Sequence, residues 1–305
     1  MNFAYCIDVN FNIQCAVSIF SLLEKVDSNI SIHILHSKPS SFNKYMQSLK
    51  NHKNCKEITL HNLETEKYNF PNLENSHVSS ATYFRLFLEK YLYDKEEVIY
   101  LDADTIVLDN PIELIKKEIT NMRSNGLYFG ASLETTKKLA PDIFERLDLS
   151  GSTYFNAGVM IFDFTNPKLN KSSEKLLLLT KNLGKKIKQW DQDVLNKFFD
   201  ENYYQIDENL NFKLYEQGNL PNKDSKILHY LGSTKPWTFE GLHISNSIYY
   251  QKNYQEFFND SLYHVNSKWR IKTYFDLFFY ILSLKIFRKK NATKILLSTL
   301  KVKKN

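Results

Sequence analysis

Two aspartates one residue apart, closing an apolar run, are the sharpest chemical feature of this chain: Val98-Ile99-Tyr100-Leu101-Asp102-Ala103-Asp104. In an extended segment residues i and i+2 face the same side, so Asp102 and Asp104 offer two carboxylates at the C-terminal edge of a buried strand. Open α/β sheets place their ligands at that edge, and paired hard oxygens suit Mg²⁺ or Mn²⁺ bridging a diphosphate. The plain alternative is a capping turn with both acids solvated. A second short strand, Ile227-Leu228-His229-Tyr230, carries an imidazole and runs into Leu231-Gly232-Ser233-Thr234-Lys235-Pro236-Trp237. Neutral imidazole is a common transition-metal ligand, although a lone histidine is also a frequent core residue. Gly232 would let backbone approach a phosphate, and Lys235 would neutralise charge on a departing diphosphate. Trp237 reads as packing.

Positioning those groups requires a scaffold, and the hydrophobic pattern supplies one. Apolar, β-branched runs predict strands at 2–7, 30–35, 57–60, 97–101, 127–133 and 153–163, the last interrupted by Asn-Ala-Gly. Helical spacing predicts helices at 13–25, 41–51, 79–92, 172–182 and 191–199. Strands alternating with helices imply a parallel or mostly parallel sheet in the α/β class. No Gly/Ser/Pro-rich linker divides the first 250 residues, so one domain is expected over 1–250, followed by a tail over 251–305.

Composition removes several classes. With 305 residues, 43% hydrophobic and 24% charged, the chain belongs among ordinary globular proteins. Cys6, Cys15 and Cys55 make an odd number with no CxxC pair, which excludes a disulfide scaffold or zinc ribbon and fits a reducing cytoplasm. The opening MNFAYCIDVNFN lacks the basic n-region of a signal peptide. The formal charge of +6 is unevenly spread: from Lys268 onward eleven Lys/Arg face one acid, Asp276, a net of +10. Positions 1–267 hold the other 29 basic and 33 acidic residues, a net of −4. A nucleic-acid enzyme would spread basic charge along its groove, so no nucleic-acid partner is expected. The apolar stretch Tyr274–Phe287 has 14 residues, short of the roughly 20 needed to span a bilayer. It reads as an interfacial helix, with Trp269, Tyr274, Phe275, Phe278, Phe279 and Tyr280 inserting while Lys285 and Arg288–Lys290 meet lipid phosphates. The alternative is a helix docked on the body.

Four segments in order, IYLDADTIV, TYFNAGVMIFD, WDQDVLN and HYLGSTKPW, resemble the retaining glycosyltransferases of family 8. That group includes bacterial lipopolysaccharide galactosyl- and glucosyltransferases and, more distantly, the glycogenins. The resemblance covers roughly residues 1–240 and implies the GT-A fold, a Rossmann-like nucleotide-binding half with a mixed central sheet. It implies that Asp8 and Asn10 hold the uridine, with Phe11 against uracil, and that Arg85 reaches the diphosphate and donor sugar. Asp102, Ala103 and Asp104 match the metal-binding segment, His229 the third protein ligand, and Gly232 and Lys235 the loop that closes on the phosphates. An imidazole beside two carboxylates favours Mn²⁺ over Mg²⁺.

By the same resemblance Asn156, Ala157 and Gly158 line the donor sugar. Asp191 would bond sugar hydroxyls, and Gln192 would face the anomeric carbon opposite the leaving UDP. Glutamine is a poor nucleophile, so front-face attack is the better reading; Asp193 keeps double displacement open. Glu134 stands where relatives place an acid near the acceptor. The implied activity is transfer of galactose or glucose from a UDP-sugar to a saccharide or lipid-linked oligosaccharide, as in lipopolysaccharide synthesis. The implied place is the cytoplasm, peripheral to the inner face of the cell membrane, with the tail on an anionic surface. Two rivals remain: a haloacid-dehalogenase-like phosphohydrolase, for which Asp102 would be the nucleophile, and a non-catalytic scaffold of transferase fold.

Overall fold

The apolar run at the start of the chain becomes β1 (Asn2–Ile7) and the β-branched run that follows becomes β2 (Ile30–His36), both buried almost throughout, as parallel strands covered on two faces must be. Between them α1 (Asn12–Lys25) buries one face and ends at Val26, which leaves the helical backbone region. After α2 (Asn43–Lys50), β3 (Cys55–Asn62) pairs parallel with β2. The computed structural model describes residues 1–64, 68–71, 79–215, 220–232, 235–238 and 245–259, with Phe275, Phe278, Phe279 and Leu282 beyond them. Trp269, Tyr274, Tyr280, Lys285 and Arg288–Lys290 of the expected interfacial helix lie outside the described residues.

The segment 79–92, expected to be one helix, is a 3₁₀-helix over Ser80–Phe87 that passes into the short α3 (Leu88–Leu92). Then come β4 (Glu97–Leu101), β5 (Thr105–Val107), α4 (Ile112–Ser124), β6 (Phe129–Thr136), α5 (Pro141–Leu147), β7 (Thr153–Asp163), α6 (Ser172–Leu183) and α7 (Trp190–Phe198). Short β8 (Tyr204–Gln205), β9 (Phe212–Leu214) and β10 (Ile227–Tyr230) follow, and α8 (Ile248–Phe258) is the last of them.

The main sheet has seven strands in the order β3-β2-β1-β4-β7-β6-β8. β1 to β4 run parallel, whereas β7 is antiparallel to both β4 and β6. The sheet is therefore mixed, as the resemblance implies, and mostly parallel, while the apolar runs by themselves do not encode which strand is reversed. Strand order turns back between β1 and β4, which is a topological switch point. Asp8 follows one of those strands and Asp102 the other, so both stand at the same C-terminal edge. A three-stranded sheet, β5-β10-β9, adds the strand that bears His229.

The core lies under the main sheet against α6 and α7, where Phe129 stacks on Phe199 with ring centroids 3.8 Å apart. By contact density the chain divides into Met1–Lys213 with Pro221–His229, and Leu214–Leu220 with Tyr230–Asn305. Among the described residues no helix is long and apolar enough to cross a membrane.

Candidate active site

β4 stops at Leu101 and β5 begins at Thr105, so Asp102-Ala103-Asp104 is the turn between them. Thr105 closes it, donating to the Asp102 carbonyl from its amide (3.2 Å) and from its hydroxyl (2.8 Å). β5 pairs antiparallel with β10 in a register that sets His229 across from Thr105. The imidazole thereby reaches the aspartates: Nε2 lies 3.3 Å from Asp104 Oδ1 and 3.7 Å from Asp102 Oδ2. One ligand atom from each of the three residues falls within a 4.8 Å group. Two carboxylates and an imidazole at that separation fit a divalent ion, and His229 itself is buried.

Arg85 stands behind the pair. It is 9% exposed, with Nη1 3.1 Å from Asp102 Oδ1 and Nε 2.6 Å from Asp191 Oδ2. Burial works against its charge, but Asp102 and Asp191 outweigh that and hold the guanidinium above its ordinary value. Its carbon sits 5.0 Å over the Tyr100 ring, and the Tyr100 hydroxyl donates to Asp102 Oδ1 at 2.5 Å. On the other flank Thr82 donates to Asp191 Oδ1 at 2.5 Å. Burial pushes the Asp191 carboxyl up to about 6, with Arg85 and Thr82 pulling it back down. Two carboxylates, Asp102 and Asp191, thus share one buried cation, and Asp104 beside His229 adds a third, an excess of negative charge that a divalent ion would offset.

The Asn-Ala-Gly interruption of β7 is a β-bulge. Adjacent Ala131 and Ser132 on β6 face Met160 and Asn156, leaving Ala157, Gly158 and Val159 outside that ladder. The released backbone serves the site. Ala157 O accepts from Arg85 Nη1 at 2.5 Å, and Ala157 N donates to Gln192 Oε1 at 3.0 Å. Gly158 O accepts from the Asp102 amide at 2.8 Å. A Cβ on Gly158 would stand 2.0 Å from His229 Cε1, so only glycine leaves room for the imidazole.

α7 carries Asp191, Gln192 and Asp193 in its first turn. Trp190, which starts that helix, has φ +47°, a conformation that costs a non-glycine residue energy. Asp193 anchors the turn: it accepts from Lys188 N (2.7 Å), Gln189 N (2.9 Å), Tyr154 OH (2.8 Å) and Arg146 Nη1 (2.6 Å). Those bonds engage both of its oxygens.

Asp8 caps a short turn by accepting from Asn10 N at 2.8 Å, and Phe11 ends that turn, half-buried. Glu134 accepts from Asn156 Nδ2 at 3.0 Å. Gly232 and Lys235 belong to the second unit; there Gly232 adopts φ +79° and Lys235 Nζ donates to Tyr230 O at 2.5 Å. In the same unit Trp237 packs on Tyr250 with centroids 5.1 Å apart.

Tyr100, Thr82, Arg146 and Asn211 were not singled out in the sequence. Tyr100 had a signal, since it lies two residues before Asp102 on the same face of β4. The other three reach the site from distant segments and had none.

Residues 2–241 match the model of glycosyl transferase family 8. The chain is 28% identical to the lipopolysaccharide 1,3-galactosyltransferase of Salmonella typhimurium over 77% of its own length and 72% of the relative's. It is 30% identical to the lipopolysaccharide 1,2-glucosyltransferase of Escherichia coli K12 over 78% and 72% respectively. Its fold resembles a crystal structure of an active-site mutant of LgtC with a TM-score of 0.71, 21% identity, and coverage of 88% of this chain and 99% of that one. The mixed sheet with its switch point is thus the GT-A fold, and the phosphohydrolase alternative falls away. Paired carboxylates on a GT-A sheet edge and a family match over 2–241 lead to one conclusion: this chain belongs to glycosyltransferase family 8.

Proposed function

We propose that the protein is a retaining, UDP-sugar-dependent hexosyltransferase that moves galactose or glucose onto a saccharide acceptor, such as a lipid-linked oligosaccharide of lipopolysaccharide synthesis. One observation carries the reading: Asp102, Asp104 and His229 converge within 4.8 Å directly beside the Arg85–Asp191 pair. Lipopolysaccharide galactosyl- and glucosyltransferases among the relatives support the sugar and acceptor classes. Mn²⁺ is the proposed ion, held by those three residues, with Mg²⁺ second because nitrogen suits the harder ion poorly. When bound, it would neutralise charge on the diphosphate.

The chain's own groups do the rest. Asp8, Asn10 and Phe11, at the C-terminal end of β1, would hold the uridine. Asp191 would accept hydrogen bonds from sugar hydroxyls, oriented by Arg85 and Thr82. Arg85, fixed between Asp102 and Asp191, would set the donor sugar relative to its diphosphate. Gln192, with its oxygen held by Ala157 N, would present its amide beside the anomeric carbon. The C1–O bond to UDP breaks, the acceptor oxygen bonds C1 on the same face, and its proton passes to the departing phosphate oxygen. Lys235 and Gly232 are assigned to the phosphate loop, and Glu134 to the acceptor side. Asp193 acts as anchor for α7, not as nucleophile.

We also assign the C-terminal segment to an anionic membrane surface at the inner face of the cell membrane. Phe275, Phe278, Phe279 and Leu282 follow helical spacing and are each at least 57% exposed, which suits insertion at a lipid interface. The neighbouring sequence holds the +10 charge.

A panel of radiolabelled UDP-sugars with Mn²⁺ tests the enzymatic reading. Release of UDP from UDP-galactose or UDP-glucose, abolished by chelator, is expected. NMR of the product should show the donor's anomeric configuration; an inverted product would overturn the retaining mechanism.

A further inference from the structure

His229 can serve as a ligand through Nε2 only if its proton resides on Nδ1, and a chain of buried side chains decides which nitrogen that is. The chain starts at a group with no ambiguity. Gly158 N is a backbone amide that can only donate, and it donates to the Asn156 side-chain oxygen at 2.9 Å. That bond fixes which end of the Asn156 amide is oxygen. The opposite end agrees: its nitrogen donates to the Glu134 carboxylate at 3.0 Å.

The same Asn156 oxygen lies 2.9 Å from the Asn211 side chain. An oxygen already committed as acceptor must meet a donor, so the Asn211 atom there is Nδ2, which also reaches Ser132 Oγ at 2.8 Å. Asn211 Oδ1 is then the atom facing His229 Nδ1 at 3.0 Å. An amide oxygen only accepts, so Nδ1 carries the hydrogen. The lone pair is left on Nε2, the nitrogen turned toward Asp104 and Asp102. Asn156, Asn211, Ser132 and His229 are all buried, where an unmatched pair of oxygens would be costly.

We propose that Asn211 is a positioning residue that, relayed through Asn156 from the Gly158 amide, locks His229 in the Nδ1–H tautomer and so makes Nε2 a metal ligand. The inference rests on the metal reading above. It also ties both halves of the site to one glycine: the Gly158 carbonyl holds the Asp102 amide, while its N–H sets the state of His229.

The test has two readouts on the full-length protein. Long-range ¹H–¹⁵N NMR of the metal-free, histidine-labelled protein at about pH 8, above the ordinary imidazole range, should show His229 with its proton on Nδ1. The signal is assigned by its loss in His229→Gln. Mn²⁺ affinity, read by electron paramagnetic resonance, should fall about 10–100-fold in Asn211→Ala, as loss of an orienting partner typically does. Ser132→Ala removes the other Asn211 contact and should keep both the tautomer and the affinity. A wild-type His229 protonated on Nε2 overturns the proposal, and so does an Asn211→Ala protein matching wild type in tautomer and affinity. The wild-type tautomer needs no variant, so it decides the case even if Asn211→Ala does not fold. If wild type shows Nδ1–H but binds no Mn²⁺, the relay stands and the metal reading fails.

Discussion

At the scale of single residues, the site is organised around one buried cation. Arg85 bonds one carboxylate assigned to the ion and one assigned to the sugar, so neither carboxylate has to be held by solvent. Asp102→Asn or Asp104→Asn should lower turnover by about two orders of magnitude or more, since the charge stabilisation at stake is worth several kcal/mol. Circular dichroism should remain unchanged, because both side chains lie at the edge of the core, 22% and 15% exposed. Asp191 yields a pH prediction. Burial raises its carboxyl to about 6, above the unfolded value near 3.9. Its protonated form is therefore favoured by folding: that stability is fully present below about pH 3.9 and is lost as pH rises through about 6. The donor-sugar role proposed for Asp191 calls for the ionised form. At saturating Mn²⁺, kcat/KM for the donor should fall as pH drops below about 6, and ¹³C NMR of the Asp191 carboxyl should titrate in the same window. A flat kcat/KM profile between pH 5 and 7 would remove Asp191 from donor binding.

At the scale of elements, two local irregularities serve the site. The bulge in β7 gives up ladder hydrogen bonds and redirects them to Arg85, Gln192 and Asp102. Its glycine also leaves space for the His229 ring. Gly158→Ala would push the imidazole aside, and Mn²⁺ affinity measured by paramagnetic resonance should drop by at least about 10-fold. Unchanged affinity would mean that the ring has room to shift. The second irregularity is the strained entry to α7, clamped by Asp193. Arg146 and Asp193 form a pair whose side chains are 13% and 0% exposed. Arg146→Ala leaves an uncompensated buried carboxylate and should cost about 3–5 kcal/mol in urea unfolding.

At the scale of the whole molecule, charge separates a mildly acidic catalytic body from a strongly basic C-terminal segment. The transfer proposed for the body uses no lipid-facing group, whereas an acceptor of the lipid-linked class would sit at a bilayer. Removal of the chain after Val265 should abolish sedimentation with anionic vesicles and leave UDP-sugar hydrolysis largely intact. High salt should weaken attachment of the full chain without eliminating it, because screening acts on the charged groups and not on Phe275, Phe278, Phe279 and Leu282. Equal vesicle binding by the two proteins would assign the segment to packing instead.

Local sequence determined what local physics controls. Burial of β1, β2 and β4 follows from their β-branched and aromatic runs, the Asp102–Asp104 turn from its place after an apolar strand, and the β7 bulge from Asn-Ala-Gly. The residues assigned to metal, sugar and nucleotide could be named from the sequence because their motifs are contiguous in it. Direction and partnership were left to the tertiary structure. Nothing in the segment 153–163 states that it runs antiparallel to β4, and that direction places the Gly158 carbonyl against the Asp102 amide. Short β5, β8 and β9 have too few residues for a periodic signal, and their strand state depends on a neighbour to pair with. Asn211, Arg146 and Thr82 sit in ordinary local contexts. Their roles exist only because the fold brings each to a buried partner dozens of residues away, where an unmet hydrogen bond or charge costs more than the local backbone preference can supply.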